Sequence, residues 1–276
     1  MSLPNVYYRA GSGEPLLLLH PFALCGDVWK PVLPALERRH EVFVVTFPGH
    51  MGGDALPSDF RYDIATSVER AAAEMHRAGV DKAHVVGNSL GGWLAIELAR
   101  RGRALSVVAI APAGGWEPGS AEQRRVVRHF TSMRRQLVVG GPLAAVIART
   151  ELGRRAALGR VVARPEKLAP RDAAMLIRAA WRCAVYRHVL AAIPQEPAPE
   201  PLPRSPCPMR LVWGTHDRIL PPDRYSGRWR RVLPDADWVQ IERAGHVPMY
   251  DEPEAVARAI LEVTARPARR ASAGVR

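Results

Sequence analysis

His84-Val85-Val86-Gly87-Asn88-Ser89-Leu90-Gly91-Gly92 is the stretch that decides the fold. Its first half is a β-branched run ending in glycine, and its second half opens the amphipathic segment Leu90 to Arg101. The reading is therefore strand, sharp turn, helix, with Ser89 at the turn in a G-x-S-x-G pattern. Glycines flank the serine because a strand and a helix joined this tightly leave no room for larger neighbours. The turn presents the hydroxyl at a helix N-terminus, whose amides favour developing negative charge. Five residues alone recur by chance, and a turn serine is also a good helix cap. The order of strand, serine and helix is what makes Ser89 a candidate nucleophile.

Outward from this unit, short apolar runs alternate with helix-length segments, the pattern of a mostly parallel sheet covered by helices. Strands are expected at Asn5 to Ala10 (an edge), Pro15 to His20, Val42 to Phe47, His84 to Asn88, Ser106 to Ala111, Met209 to Trp213 and Trp238 to Ile241. Helices are expected at Gly26 to Arg39, Asp63 to Ala78 (Asp63 capping, Gly79 ending), Leu90 to Arg101, Pro222 to Val232 and Pro253 to Thr264. Between Trp116 and Ile193 the alternation stops. That segment is Arg- and Ala-rich with helical periodicity, interrupted at Gly140-Gly141-Pro142, Gly153 and Pro165. It reads as a helical cap, residues 116–193, inserted into a core formed by 1–115 and 194–265. Seven prolines from Pro194 to Pro208 make a stiff extended return to the core, and 266–276 is expected to be a flexible basic tail.

Composition narrows the function. The chain has 276 residues, 47% of them hydrophobic, enough for a substantial core. There is no apolar run near the roughly 20 residues that span a bilayer, and no export signal at the N-terminus. A soluble cytoplasmic protein is expected. Three widely spaced cysteines, Cys25, Cys183 and Cys207, give neither a disulfide framework nor a metal motif, so no metal and no cofactor are expected. The net charge of +12 is concentrated: Ser120 to Leu190 holds 15 Arg or Lys against 4 Asp or Glu. Without interleaved aromatics or a nucleic-acid motif, this charge reads first as a solvated helical surface, with an anionic substrate or a membrane surface as the other readings. No specific nucleic-acid partner is expected.

A serine hydroxyl needs a general base, and the base needs an orienting carboxylate. The C-terminal third supplies both just past expected strand ends: Asp217 in Gly214-Thr215-His216-Asp217, and His246 in Ala244-Gly245-His246-Val247-Pro248. With these residues the chain resembles the α/β-hydrolase superfamily over nearly all of its length outside the cap and tail. The likeness is carried by His20-Pro21-Phe22, by Phe47-Pro48-Gly49-His50, by the Ser89 turn, by the loop from Gly214 to Pro221, and by Gly245-His246. The resemblance implies the α/β-hydrolase fold and a triad in the order Ser89, Asp217, His246. It also implies an oxyanion hole from the backbone N–H groups of Leu90 and Phe22. Pro21 stands where the family usually has glycine and cannot donate. Asp223, Asp235 and Asp237 are weaker acid candidates because they fall in or beside the next helix. The position after Ser106 to Ala111 carries no carboxylate. His20 and His50 are implied to be structural or pocket-lining, and His76, His84, His129 and His188 carry no motif.

The expected reaction is hydrolysis of a small-molecule carboxylic ester, lactone or thioester, anionic if the Arg-rich cap contributes to binding. Dehalogenases and epoxide hydrolases that resemble the chain use Asp as nucleophile, where position 89 is Ser. Carbon–carbon hydrolysis of a dienone, with Arg178 or Arg182 holding its acid group, is weakened by Val247, where such enzymes generally have Trp. A haloperoxidase side activity and a non-catalytic ligand-binding role on the same scaffold are the remaining alternatives. Met133, Leu137, Trp181 and Tyr186 are candidate cavity-lining residues.

Overall fold

In a computed structural model the protein is described over residues 6–58 and 60–266. Its strands are β1 Val6–Gly11, β2 Glu14–Leu19, β3 His40–Val45, β4 Ala83–Asn88, β5 Ala104–Ile110, β6 Met209–Gly214 and β7 Asp237–Ile241. They form one sheet in the order β1-β3-β2-β4-β5-β6-β7. Only β1 is antiparallel, and it pairs with β3 at the edge. The central strands read as continuous apolar runs because both faces are covered: Leu16 to Leu19, Val85, Val86 and Val107 to Ile110 are all buried. Each expected strand is present, with ends moved by at most two residues.

The helices of the α/β framework are α1 Leu33–Leu36, α2 Ile64–Arg77 and α3 Leu90–Arg100, with α8 Pro222–Val232 and α9 Pro253–Thr264 closing it. Asp63 caps α2 by accepting from the Thr66 N–H at 2.6 Å, and Gly79 ends it at φ +77°. The single helix expected over Gly26 to Arg39 is not formed. A 3-10 turn at Gly26–Trp29 is followed by the short α1. Pro31 is the cause: it has no N–H to continue the turn, although Lys30 before it keeps helical angles (φ −46°, ψ −42°), and Pro34 suits the first turn of the new helix.

Between β5 and β6 lie α4 Ala121–Ile147, α5 Glu151–Leu158, α6 Pro170–Trp181 and α7 Tyr186–Ala192. The break expected at Gly140-Gly141-Pro142 does not occur, because α4 runs through all three residues. Gly141 is a packing residue, since a Cβ there would lie 2.6 Å from the Trp181 ring carbon Cδ1. Pro142 orphans only the carbonyl of Val138, an exposed residue whose oxygen water can satisfy. The corner falls instead at 148–150. Gly153, expected as a break, sits inside α5, where a Cβ would meet the Ile147 carbonyl oxygen at 2.1 Å. The break at Pro165 is present as a 3-10 turn. Residues 194–208 form no helix or strand. The tail expected to be flexible lies, from 267 onward, outside the described residues. Among the described residues no helix is long and apolar enough to cross a membrane.

Candidate active site

Ser89 sits between β4 and α3 at φ 56° and ψ −113°, a conformation that costs a non-glycine residue about 1–3 kcal/mol. The backbone is held there from three sides. The Ser89 N–H donates to the Ile110 carbonyl at 2.8 Å, and the Ser89 carbonyl accepts from Ala113 and Trp93. The flanking glycines are required by close approach: a Cβ on Gly87 would lie 2.0 Å from the Gly91 oxygen, and one on Gly91 2.2 Å from the Leu19 oxygen. Asn88, buried beside the serine, donates from Nδ2 to the carbonyls of Ile110 and His246. It thereby ties the turn to the loop after β7, a link invisible in sequence.

Asp217 follows β6 and is 4% exposed. Its Oδ1 accepts the N–H groups of Ile219 and Leu220 at 2.9 and 2.8 Å. Its Oδ2 lies 2.7 Å from Nδ1 of His246, which follows β7. A carboxylate is acceptor-only, so His246 carries its proton on Nδ1 and leaves Nε2 as the basic nitrogen. His216 points elsewhere, with Nδ1 3.0 Å from the Thr215 hydroxyl.

Ser89 and His246 both line a cavity of about 330 Å³ between the sheet and the helices that follow β5, together with Phe22, Leu137, Leu158 and Ile177. A smaller cavity of about 40 Å³ adjoins Ser89 on the side of Leu90, Trp93, Trp116 and Val126. Phe22 lines both cavities. Met133 and Leu137 line the large cavity as expected. Trp181 does not, because it packs on Gly141. Tyr186 is fully buried, its ring 4.8 Å from Phe22 and its hydroxyl donating to the Phe130 carbonyl, so it supports the wall from behind.

His129 was without a motif, yet it lies within electrostatic reach of His246 and Asp217. Burial, with Arg160 next, pulls it down to about 4. Arg160 donates to its Nδ1 at 3.4 Å, which fits a neutral ring. His20 accepts the Phe47 N–H on Nε2 at 3.1 Å, so its Nδ1 donates to the Pro21 carbonyl and fixes the loop carrying Phe22. Burial, reinforced by the neighbouring His50, holds His20 well below its ordinary value, and burial alone brings His50 to about 4. Groups kept neutral in the fold but protonated when unfolded make stability fall as pH drops from about 6.5 toward 4. At about 1.4 kcal/mol per unit of separation, His50 accounts for roughly 3 kcal/mol of that loss. Denaturant midpoints measured from pH 7 to 4.5 are expected to decline steadily, and less steeply in His50→Gln. A flat profile contradicts the assignment.

No group of three or more His, Cys, Asp or Glu among the described residues is arranged to hold a metal ion. The model of the alpha/beta hydrolase family matches residues 16–259. The chain is 35% identical over 191 residues to epoxide hydrolase EphH of Mycobacterium tuberculosis, covering 69% of this chain and 88% of that protein. It is 27% identical over 234 residues to a putative carbamate hydrolase RutD of Escherichia coli, covering 83% of each. Among solved structures, a bacterial membrane phospholipase A superposes with a TM-score of 0.72 at 27% identity, covering 94% of this chain and 82% of that one. A thermophilic esterase from Thermogutta terrifontis, at 24% identity, shares the fold with a TM-score of 0.73, covering 92% and 90%. With a mostly parallel sheet in this order, a strained serine between β4 and α3, and a family match running from β2 into α9, the chain belongs to the alpha/beta hydrolase family.

Proposed function

We propose that the protein is a serine hydrolase that cleaves a carboxylic ester, lactone or thioester through an acyl-enzyme on Ser89. The observation that carries this reading is the 2.7 Å hydrogen bond from His246 to a buried Asp217, with His246 and Ser89 on one cavity wall. His246 Nε2 takes the Ser89 proton as the oxygen attacks the carbonyl carbon, then returns it to the departing alcohol or thiol. Water repeats the sequence to release the acid. The Leu90 and Phe22 N–H groups hold the oxyanion, and residues 116–193 act as the cap over the 1–115 and 194–265 core.

The similarity to a named epoxide hydrolase raises a second chemistry, and a serine at position 89 argues against it. A carboxylate that opens an epoxide becomes an ester, which water then cleaves. A serine that opened one would become an ether, which the same machinery cannot hydrolyse. Carbamates, named for the other relative, do contain a carbonyl that Ser89 can attack.

The two cavities beside Ser89 support a division of the substrate into two halves. His246 must protonate the leaving group, and it lines only the large cavity, so the leaving group lies there. The acyl group takes the small cavity, on the side where the Leu90 amide heads α3. The expected substrate is a short acyl ester of a large apolar alcohol. A fluorophosphonate probe is expected to label wild type at Ser89 and leave Ser89→Ala unlabelled. In an ester panel, bulky alkyl acetates are expected to exceed methyl esters of long acids at least tenfold in kcat/KM, about 1.4 kcal/mol. A folded wild type that stays unlabelled and inactive on the panel would leave a non-catalytic binding role. Turnover of styrene oxide but no ester refutes the acyl-enzyme reading.

A further inference from the structure

Among the described residues the large hydrophobic side chains left in solvent are Val138, Val139, Leu143, Val146, Ile147 and Leu152, all between 138 and 152. Val139 is 90% exposed and Leu152 78%. Such side chains scattered singly need no explanation, but six in one fifteen-residue stretch form a patch. Positions 135, 139, 142 and 146 share one face of α4 at three- and four-residue spacing, and that face reads Arg, Val, Pro, Val. Arg149 follows in the corner just past the helix end. Arg135 and Arg149 are exposed, and neither is in an ion pair among the described residues. Arg155 and Arg160 are exposed on the α5 side of the patch.

We propose that this face docks on an anionic lipid surface. Three observations select that occupant. The surrounding segment, Ser120 to Leu190, carries 15 basic against 4 acidic residues. A second copy would bring the same charge to the contact, whereas an anionic membrane complements it. The patch is wholly aliphatic, without the Trp, Tyr or Phe that anchor protein interfaces, and it is an amphipathic face with cations at its ends, as interfacial helices are. The large cavity also opens within it. Gln136, Ile147, Ala156 and Ala157 line that cavity and are themselves exposed, so its mouth lies between the end of α4 and α5. Docked this way, an apolar ligand passes from the bilayer to the cavity without crossing bulk water.

The test is sedimentation of the full chain with extruded vesicles of phosphatidylcholine alone and of equimolar phosphatidylcholine and phosphatidylglycerol. Wild type is expected to bind the anionic vesicles at least tenfold more tightly than the neutral ones, with weaker binding as salt rises. Val139→Asp with Leu143→Asp is expected to lose tenfold or more in binding. Arg135→Glu with Arg149→Glu is expected to remove the anionic preference. All four positions are solvent-facing, so unchanged thermal midpoints separate lost docking from lost folding. No binding to anionic vesicles, or equal binding to both kinds, overturns the proposal. So does a wild-type dimer that ignores vesicles and becomes monomeric on Val139→Asp with Leu143→Asp, because the face then belongs to a second copy. The readout is binding rather than turnover, so it stands or falls apart from the role of Ser89.

Discussion

Ser89→Ala is expected to lower kcat on the best ester by about five to six orders of magnitude, with KM changed only a few-fold. His246→Ala is expected to match it, and the double variant to be no worse than either, because in the proposed mechanism nucleophile and base act as one unit. Asp217→Asn is expected to lose about 10⁴-fold for a different reason. The carboxylate accepts hydrogen bonds from His246 Nδ1 and from two backbone N–H groups. An amide in its place presents one acceptor and two donors, so His246 adopts the other tautomer and Nε2 no longer accepts the serine proton. Stability moves the opposite way at the serine. With φ 56° and ψ −113° there, Ser89→Gly relieves backbone strain and is expected to gain about 1 kcal/mol while remaining inactive. Single-turnover kinetics and denaturant melts measure the two effects. Full activity in Ser89→Ala, or loss of stability in Ser89→Gly, sinks the assignment of that turn.

The framework was legible because its signals are local. Alternation of apolar runs and helical segments located all seven strands, and Asp63 announced its helix through a cap three residues long. The turn at Ser89 was readable for the same reason: Gly87, Ser89 and Gly91 are close in sequence as well as in space. Misreadings arose where a residue has two meanings. Pro31 ends a helix that periodicity alone would continue, whereas Pro142 sits in an unbroken helix because its orphaned carbonyl faces water. Gly141 looked like punctuation and is a contact for Trp181, a partner 40 positions away that nothing local identifies. The site shows the same division. Asp217 and His246 could be singled out because they follow strands, but Asn88 reaches His246 across 158 positions and His129 comes near it from α4.

Asp251 is the strongest case of such hidden coupling, and its replacement is expected to have the largest effect of any residue outside Ser89, Asp217 and His246. Its buried carboxylate accepts the N–H groups of Gly245, Ala163 and Arg164 at 2.8, 2.9 and 3.0 Å. The Arg164 guanidinium returns to the Asp251 carbonyl and to Glu252, and the Val247 N–H donates to the Val161 carbonyl. Residues 161–164, between α5 and α6, are thus clamped to the loop that carries His246. Gly245 has no side chain because a Cβ would meet Ala163 at 2.7 Å. Asp251→Ala orphans three backbone donors, a loss of about 2–4 kcal/mol in stability. It also frees the His246 loop, so kcat is expected to fall about 10–100-fold with KM nearly unchanged, since misplacement of a catalytic group acts on the chemical step. Asp251→Asn keeps one acceptor oxygen and is expected to fall between alanine and wild type. A matched control separates positioning from bulk stability: Val263→Ala in α9, a fully buried residue remote from the cavity, is expected to cost similar stability and leave kcat intact. If the two variants lose kcat equally at equal stability, Asp251 is only a structural residue. If only Asp251→Ala does, the loop that carries His246 and the helices above the cavity are held by the same carboxylate.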